Sequence, residues 1–165
     1  MEQKCVADSQ VTLAVVMGPQ DANPAGNVHG GVIMKLIDTA AGTVAARHAR
    51  SNVVTASIDR LDFLGPVFIG DLVTLRACIN YTGRTSMEVG VRVEAETIPT
   101  NYVRHTASAY LTFVSLDREG HPTETPPITP KTDVETRRNQ EAAARRKMRV
   151  QEKKSEKERA TAPSH

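Results

Sequence analysis

Tryptophan is absent from this 165-residue chain, and only three Tyr and three Phe are present. The core must therefore be built from Val, Ile, Leu, Ala and Met. The two cysteines, Cys5 and Cys78, cannot make a disulfide scaffold and point to a reducing compartment. Neither lies in a Cys/His cluster of the kind that holds zinc, and no metal or cofactor is expected. No apolar run approaches the roughly 18 residues of a membrane span. The first ten residues, MEQKCVADSQ, lack the apolar segment of a signal peptide and are too acidic and too poor in Arg for a transit peptide. The expectation is a cytoplasmic protein with no membrane association. No GxSxG surrounds Ser57, Ser86 or Ser115, and the chain has no GxGxxG, phosphate-binding loop or HExxH.

What is present, 39% hydrophobic and 24% charged residues, suits one compact domain with a tail. The charge is unevenly placed. Residues 1–130 hold 10 Lys+Arg against 13 Asp+Glu, whereas residues 131–165 hold 11 against 6. That tail is rich in Ala, Glu, Lys and Arg, which favours helix locally. It offers no apolar stripe, which predicts a solvated helix or a disordered end. Its basic charge would suit a polyanion, but a solvated end is the simpler reading and no nucleic-acid partner is expected. Pro126, Pro127 and Pro130 mark the boundary, giving a domain over 1–130 and a basic tail over 131–165.

Within 1–130, Val11–Met17 reads as a short buried strand. A loop of Gly, Pro, Asn and Asp follows, then a helix from about His29 to Ala49 that is apolar on most faces and therefore central. Four strand-like stretches come next: Val53–Phe63, Asp71–Tyr81, Ser86–Thr97 and Val103–Leu116. In the third, Met87, Val89, Val91, Val93 and Ala95 alternate with Glu88, Gly90, Arg92, Glu94 and Glu96, which predicts a sheet with one wet face. Thr82–Thr85 reads as a hairpin turn. Strands in succession beside one helix give an α+β antiparallel domain. A sheet curled round one helix leaves open edges, which predicts a homodimer.

Four signals carry chemistry. Gly30 and Gly31 at the helix start would let a ligand approach first-turn N–H groups that lack helical partners, as in an anion or oxyanion site. A flexible cap explains them equally well. Asp38, two turns into the apolar helix, would be costly in a dry core and calls for a task, for a partner such as Arg47, Arg60 or another strand arginine, or for exposure on the one wet edge of the helix. Asn23 has an amide that can orient a water or carbonyl, although Asn before Pro is also an ordinary turn residue. His29 would donate to a substrate or cap the helix.

The run N-P-A-G-N-V-H-G-G-V-I-M-K-L-I-D-T-A-A-G-x-V-A-A-R-H, followed by V-T-A-S-I-D, F-L-G-P-V-F-I-G-D and G-R-T-S-M-E-V, resembles the hotdog-fold acyl-CoA thioesterases. The similarity is to single-domain bacterial acyl-CoA hydrolases of the YciA type and to each half of the tandem cytosolic long-chain enzymes, over roughly residues 11 to 130. The resemblance implies a long helix wrapped by a curved five-stranded antiparallel sheet, two units paired as a double hotdog, and dimers assembled as a trimer of dimers. It implies hydrolysis of fatty acyl-CoA at the dimer seam, with Asp38 of one subunit and Asn23 of the other as catalytic residues. Gly30 and Gly31 would face the thioester oxygen. His29 and the turn Gly83, Arg84, Thr85 and Ser86 would contact substrate, with Arg84 suited to a phosphate. The competing reading is a hotdog module that binds acyl-CoA without turnover; a hotdog dehydratase or isomerase finds no Asp/His pair to use.

Overall fold

The computed structural model describes residues 2–160; the last five residues of the basic tail lie outside it. Strand β1 (Lys4–Cys5) is followed by β2 (Val11–Val16), helix α1 (Gly30–Ala49) and four long strands. These are β3 (Asn52–Phe63), β4 (Leu72–Thr82), β5 (Ser86–Thr97) and β6 (Tyr102–Leu116). A short β7 (Ile128–Thr129) and helix α2 (Asp133–Ala160) complete the chain. Five strands form one antiparallel sheet in the order β2-β4-β5-β6-β3, and β1 pairs with β7 in parallel. Both β2 and β3 are edges of the sheet.

Alternation places Met87, Val89, Val91, Val93 and Ala95 of β5 in the core, as their period of two requires. They meet Ile33, Ile37, Ala40, Ala41, Val44 and Ala45, which recur along α1 at helical spacing. Gly42 admits the Phe113 ring, 3.6 Å from where its Cβ would stand. The helix is central on this side only. Met34, Lys35, Asp38 and Thr39 face away from the sheet and are exposed. Of the alternatives left open for Asp38, exposure on a wet edge of the helix is the one found within one chain, because five strands cover one face of α1 and leave the other open.

The wet face expected of β5 is also corrected. Glu88 is 2% exposed, since α2 lies across the outer face of the sheet. What α2 buries is not an apolar stripe. Arg145 makes a two-pronged bond to Glu88 (2.7 and 3.2 Å) and stacks on Tyr110, with its guanidinium 3.9 Å from the ring centre. Asn139 donates to the Asn80 carbonyl, Arg149 pairs with Asp59, and Ala142 is buried. Matching carboxylates on the sheet make a charged helix dock that would otherwise remain in water.

The N-terminal segment is tied to the end of α1. His48 is fully buried; its Nε2 donates to the Pro126 carbonyl at 2.8 Å and its Nδ1 lies 3.4 Å from Ser9 Oγ. Burial holds the imidazole below its ordinary value of 6.5, the Pro126 carbonyl opposing this less strongly. The folded chain thus binds fewer protons than the unfolded chain just below pH 6.5, so this contribution to stability is complete above 6.5 and is lost as pH falls. We expect the unfolding free energy from urea curves to drop between pH 6.5 and 5, by up to about 1.4 kcal/mol per pH unit. A His48→Asn variant should be weaker at pH 7.5 but lose that slope; an unchanged slope would assign it to other groups.

Candidate active site

Each part of the site has a local cause. Helix α1 starts where His29, extended (φ −65°, ψ 131°), turns its ring back so that Nδ1 accepts from Gly31 N at 2.9 Å. A Cβ at Gly31 would stand 3.0 Å from that Nδ1, so glycine makes room for the cap. The ahead-lying loop is held by Asn23, whose Oδ1 accepts from Ala25 N (2.9 Å) and Asn27 N (3.1 Å). Gly26 closes this turn at φ +86°, a conformation that favours glycine.

Asp38 Oδ1 accepts from Thr55 Oγ1 at 2.8 Å. Neither arginine suggested by the sequence is its partner: Arg47 donates to the Gln10 carbonyl and Arg60 pairs with Asp62. Thr55 on β3 was not anticipated. It sits in an edge strand 17 residues away, and no spacing rule links a helix to that strand.

The turn from Gly83 to Ser86 joins β4 to β5 through Gly83 N and the Ser86 carbonyl (2.7 Å). Its backbone is also held from outside, since the Thr85 and Arg84 carbonyls accept from Ser115 N and Thr125 N. The Arg84 side chain is exposed.

The structure does not bring these parts together within one chain. Phe63, at the end of β3, touches the start of α1, its ring 3.6 Å from where a Gly30 Cβ would stand. Ser86 and Val54 both pair with Val114, which puts the turn at the opposite end, where β3 begins and α1 finishes. Twenty helical residues span about 30 Å. Asn23, His29, Gly30 and Gly31 therefore lie at one end, Gly83–Ser86 at the other, and Asp38 between them. Gly31 N–H, expected to face a substrate oxygen, is engaged by His29; Gly30, the first helical residue, has no helical carbonyl to bond.

Other candidate groups are poorly placed for chemistry. Burial raises the Cys78 pKa, with nearby Arg138 opposing, so it is a poor nucleophile. Asp117, Glu119 and His121 converge on an exposed turn, where Asp117 Oδ1 already accepts from Glu119 N and His121 N. A groove of about 520 Å³ between α2 and the sheet is lined by Arg76, Arg92, Arg138 and Tyr110. Cys78 lines it, but it faces away from α1 and holds none of Asn23, His29, Gly30, Gly31, Asp38 or the Gly83–Ser86 turn.

Residues 25–101 match the model of the thioesterase superfamily. The chain is 40% identical over 146 residues to the rat cytosolic acyl coenzyme A thioester hydrolase, covering 87% of this chain and 38% of that relative's length. It is 38% identical over 142 residues to the VdlD protein of Helicobacter pylori, covering 86% and 81%. An acyl-CoA hydrolase from Staphylococcus aureus, solved with butyryl coenzyme A, coenzyme A and coenzyme A disulfide, superposes with a TM-score of 0.87 at 36% identity, covering 98% and 100%. Variants of that enzyme with an aspartate, a threonine or an asparagine changed to alanine match with TM-scores of 0.89, 0.88 and 0.86. A hexameric acyl-CoA thioesterase matches at 0.86 and 36% identity, covering 99% and 100%. With one long helix in a five-stranded antiparallel sheet, and relatives matched across most of its length, the chain belongs to the hotdog-fold thioesterase superfamily.

Proposed function

We propose that this chain hydrolyses acyl-CoA to a free carboxylic acid and coenzyme A, at sites shared between two copies joined along β3. The observation that carries this reading is Asp38, held by Thr55 on the open face of α1 beside an unpaired strand edge. Support comes from the Staphylococcus aureus enzyme. Its altered asparagine, aspartate and threonine are separated by 15 and 17 residues, the separations of Asn23, Asp38 and Thr55.

Antiparallel pairing of two β3 edges would form a double hotdog and turn the copies end for end. The Gly83–Ser86 turn of one copy then approaches the Asn23–Gly31 loop of the other, with Asp38 at the seam. Exposed Met34, Val54, Ile58 and Phe63 would be covered by the same contact. A second exposed apolar group, Phe68, Ile98, Tyr102 and Val103, would serve assembly of dimers into a trimer of dimers.

In this site Arg84 holds a coenzyme A phosphate, and Asn23 directs its side-chain NH2 at the water or the carbonyl. Asp38 acts on the thioester carbon, either by taking a proton from water as it attacks or by attacking itself to form an anhydride that water then opens. In both routes the carbon–sulfur bond breaks and coenzyme A leaves as its thiol. Gly30 N–H steadies the oxyanion, and Gly31 N–H joins it when the His29 ring leaves the cap. A reducing interior such as the cytoplasm suits the two free thiols, Cys5 and Cys78.

The test is subunit complementation, read as thiol release from acyl-CoA. Asn23→Ala and Asp38→Ala chains should each be nearly inactive alone. Mixed after reversible dissociation, they should regain activity, since every mixed dimer rebuilds one intact site. No recovery in mixtures shown to contain mixed dimers would place both residues in sites within one subunit. A pure acyl-CoA-binding module would release no thiol at all.

A further inference from the structure

We infer that Arg149 and Asp59 are positioning residues for this reaction: helix α2 fixes the phase of β3 and thereby aims Thr55 at Asp38. The inference rests on the reading of Asp38 as the reacting group.

Strand β3 is an edge, so among the described residues only β6 pairs with it. Its register with β6 is irregular twice, between Thr55 and Ser57 and between Ile58 and Arg60, where Ala56 and Asp59 are the extra residues. Bulges of this kind re-aim side chains. Thr55 pairs with Phe113 on the α1 side of the sheet, while Ser57 pairs with Thr112 on the outer side. A slip of one residue would turn Thr55 outward and end its bond to Asp38.

Asp59 holds that stretch in place. Its carboxylate accepts from Ser57 Oγ at 2.6 Å and from Thr112 Oγ1 at 2.6 Å, tying the strand to itself and to β6. Arg149 of α2 pairs with the same carboxylate, whose side chain is 9% exposed. The pair lies on the face of the sheet away from α1, four residues along the strand from Thr55. Nothing in it approaches Asp38 directly. Its route to the reaction is the bulged backbone, then the Thr55 hydroxyl, then Asp38 Oδ1.

The test is a kinetic double-mutant cycle on the full chain, assayed well below the unfolding temperature. Arg149→Met should lower kcat about ten-fold and move KM less than about two-fold, because misplacing a reacting group costs turnover. Arg149→Lys should recover part of the loss. In a Thr55→Val background, Arg149→Met should change nothing further, since the threonine it acts through is gone. Asn139→Ala, which frees a bond at the β4 end of α2, should leave kcat unchanged. If Arg149→Met fails to fold, Asp59→Asn replaces it in the same cycle; it keeps the hydroxyl contacts and removes the charge. Wild-type kcat in Arg149→Met, an equal loss in the Thr55→Val background, or an equal loss in Asn139→Ala would each overturn the inference. Full turnover by Asp38→Asn would show instead that the site reading is wrong, and the inference would fall with it.

Discussion

Asp38→Asn is expected to lower kcat by about 10²–10⁴, the range a positioned base or its equivalent contributes. Folding should be unaffected. Asp38 is exposed in the single chain, its carboxylate bonds a neutral hydroxyl, and asparagine can accept the same bond from Thr55. KM should move little, because no phosphate or acyl contact is assigned to it. The measurements are steady-state thiol release and a denaturant curve on the same preparation. A folded variant with native turnover would remove Asp38 from the chemistry. Single turnover of the native chain in isotope-labelled water would then divide the two routes: label in the Asp38 carboxylate arises when that oxygen itself attacks and water opens the anhydride at the aspartyl carbon.

The second large effect concerns stability. Arg145→Met leaves Glu88 buried without its cation and should cost about 3 kcal/mol, the scale set by breaking one side of a buried pair. Arg145 is itself one-quarter exposed, which keeps the expectation at the low end of that scale. Adding Glu88→Gln should restore much of the loss, since a neutral amide keeps a bond to Asn80 and no longer needs a counter-charge. The check is urea unfolding of both single variants and the double. Equal stability of Arg145→Met and native chain would mean that α2 contributes nothing to the fold through this contact.

The period-two run of β5 and the helical run of α1 were readable because each faces one continuous core. Their boundaries in the structure, Ser86–Thr97 and Gly30–Ala49, fall within a residue of the pattern. Three things were not readable. For Asp38 a dry core and a wet edge both stayed open, because hydropathy along a helix cannot say which face a five-stranded sheet leaves uncovered. Thr55 was hidden because its partner is set by two bulges, and a bulge has no signature in V-T-A-S-I-D. The tail looked solvated because docking by Arg145 and Arg149 depends on Glu88 and Asp59, which the alternation assigns to water. The glycine and asparagine signals were half legible. Gly31 and Asn23 do shape the helix cap and the turn, their ordinary structural roles, and in the proposed dimer the approach of a second copy would decide what else they touch.

The separation of the loop and the turn by the length of α1 has a kinetic meaning. On the proposed reading, a chain that carries the two halves of its pocket some 30 Å apart should have no weakly active solitary form. Specific activity should be flat at high enzyme concentration and then collapse on dilution, following the population of associated chains rather than the total, so that the rate law itself reports the association constant.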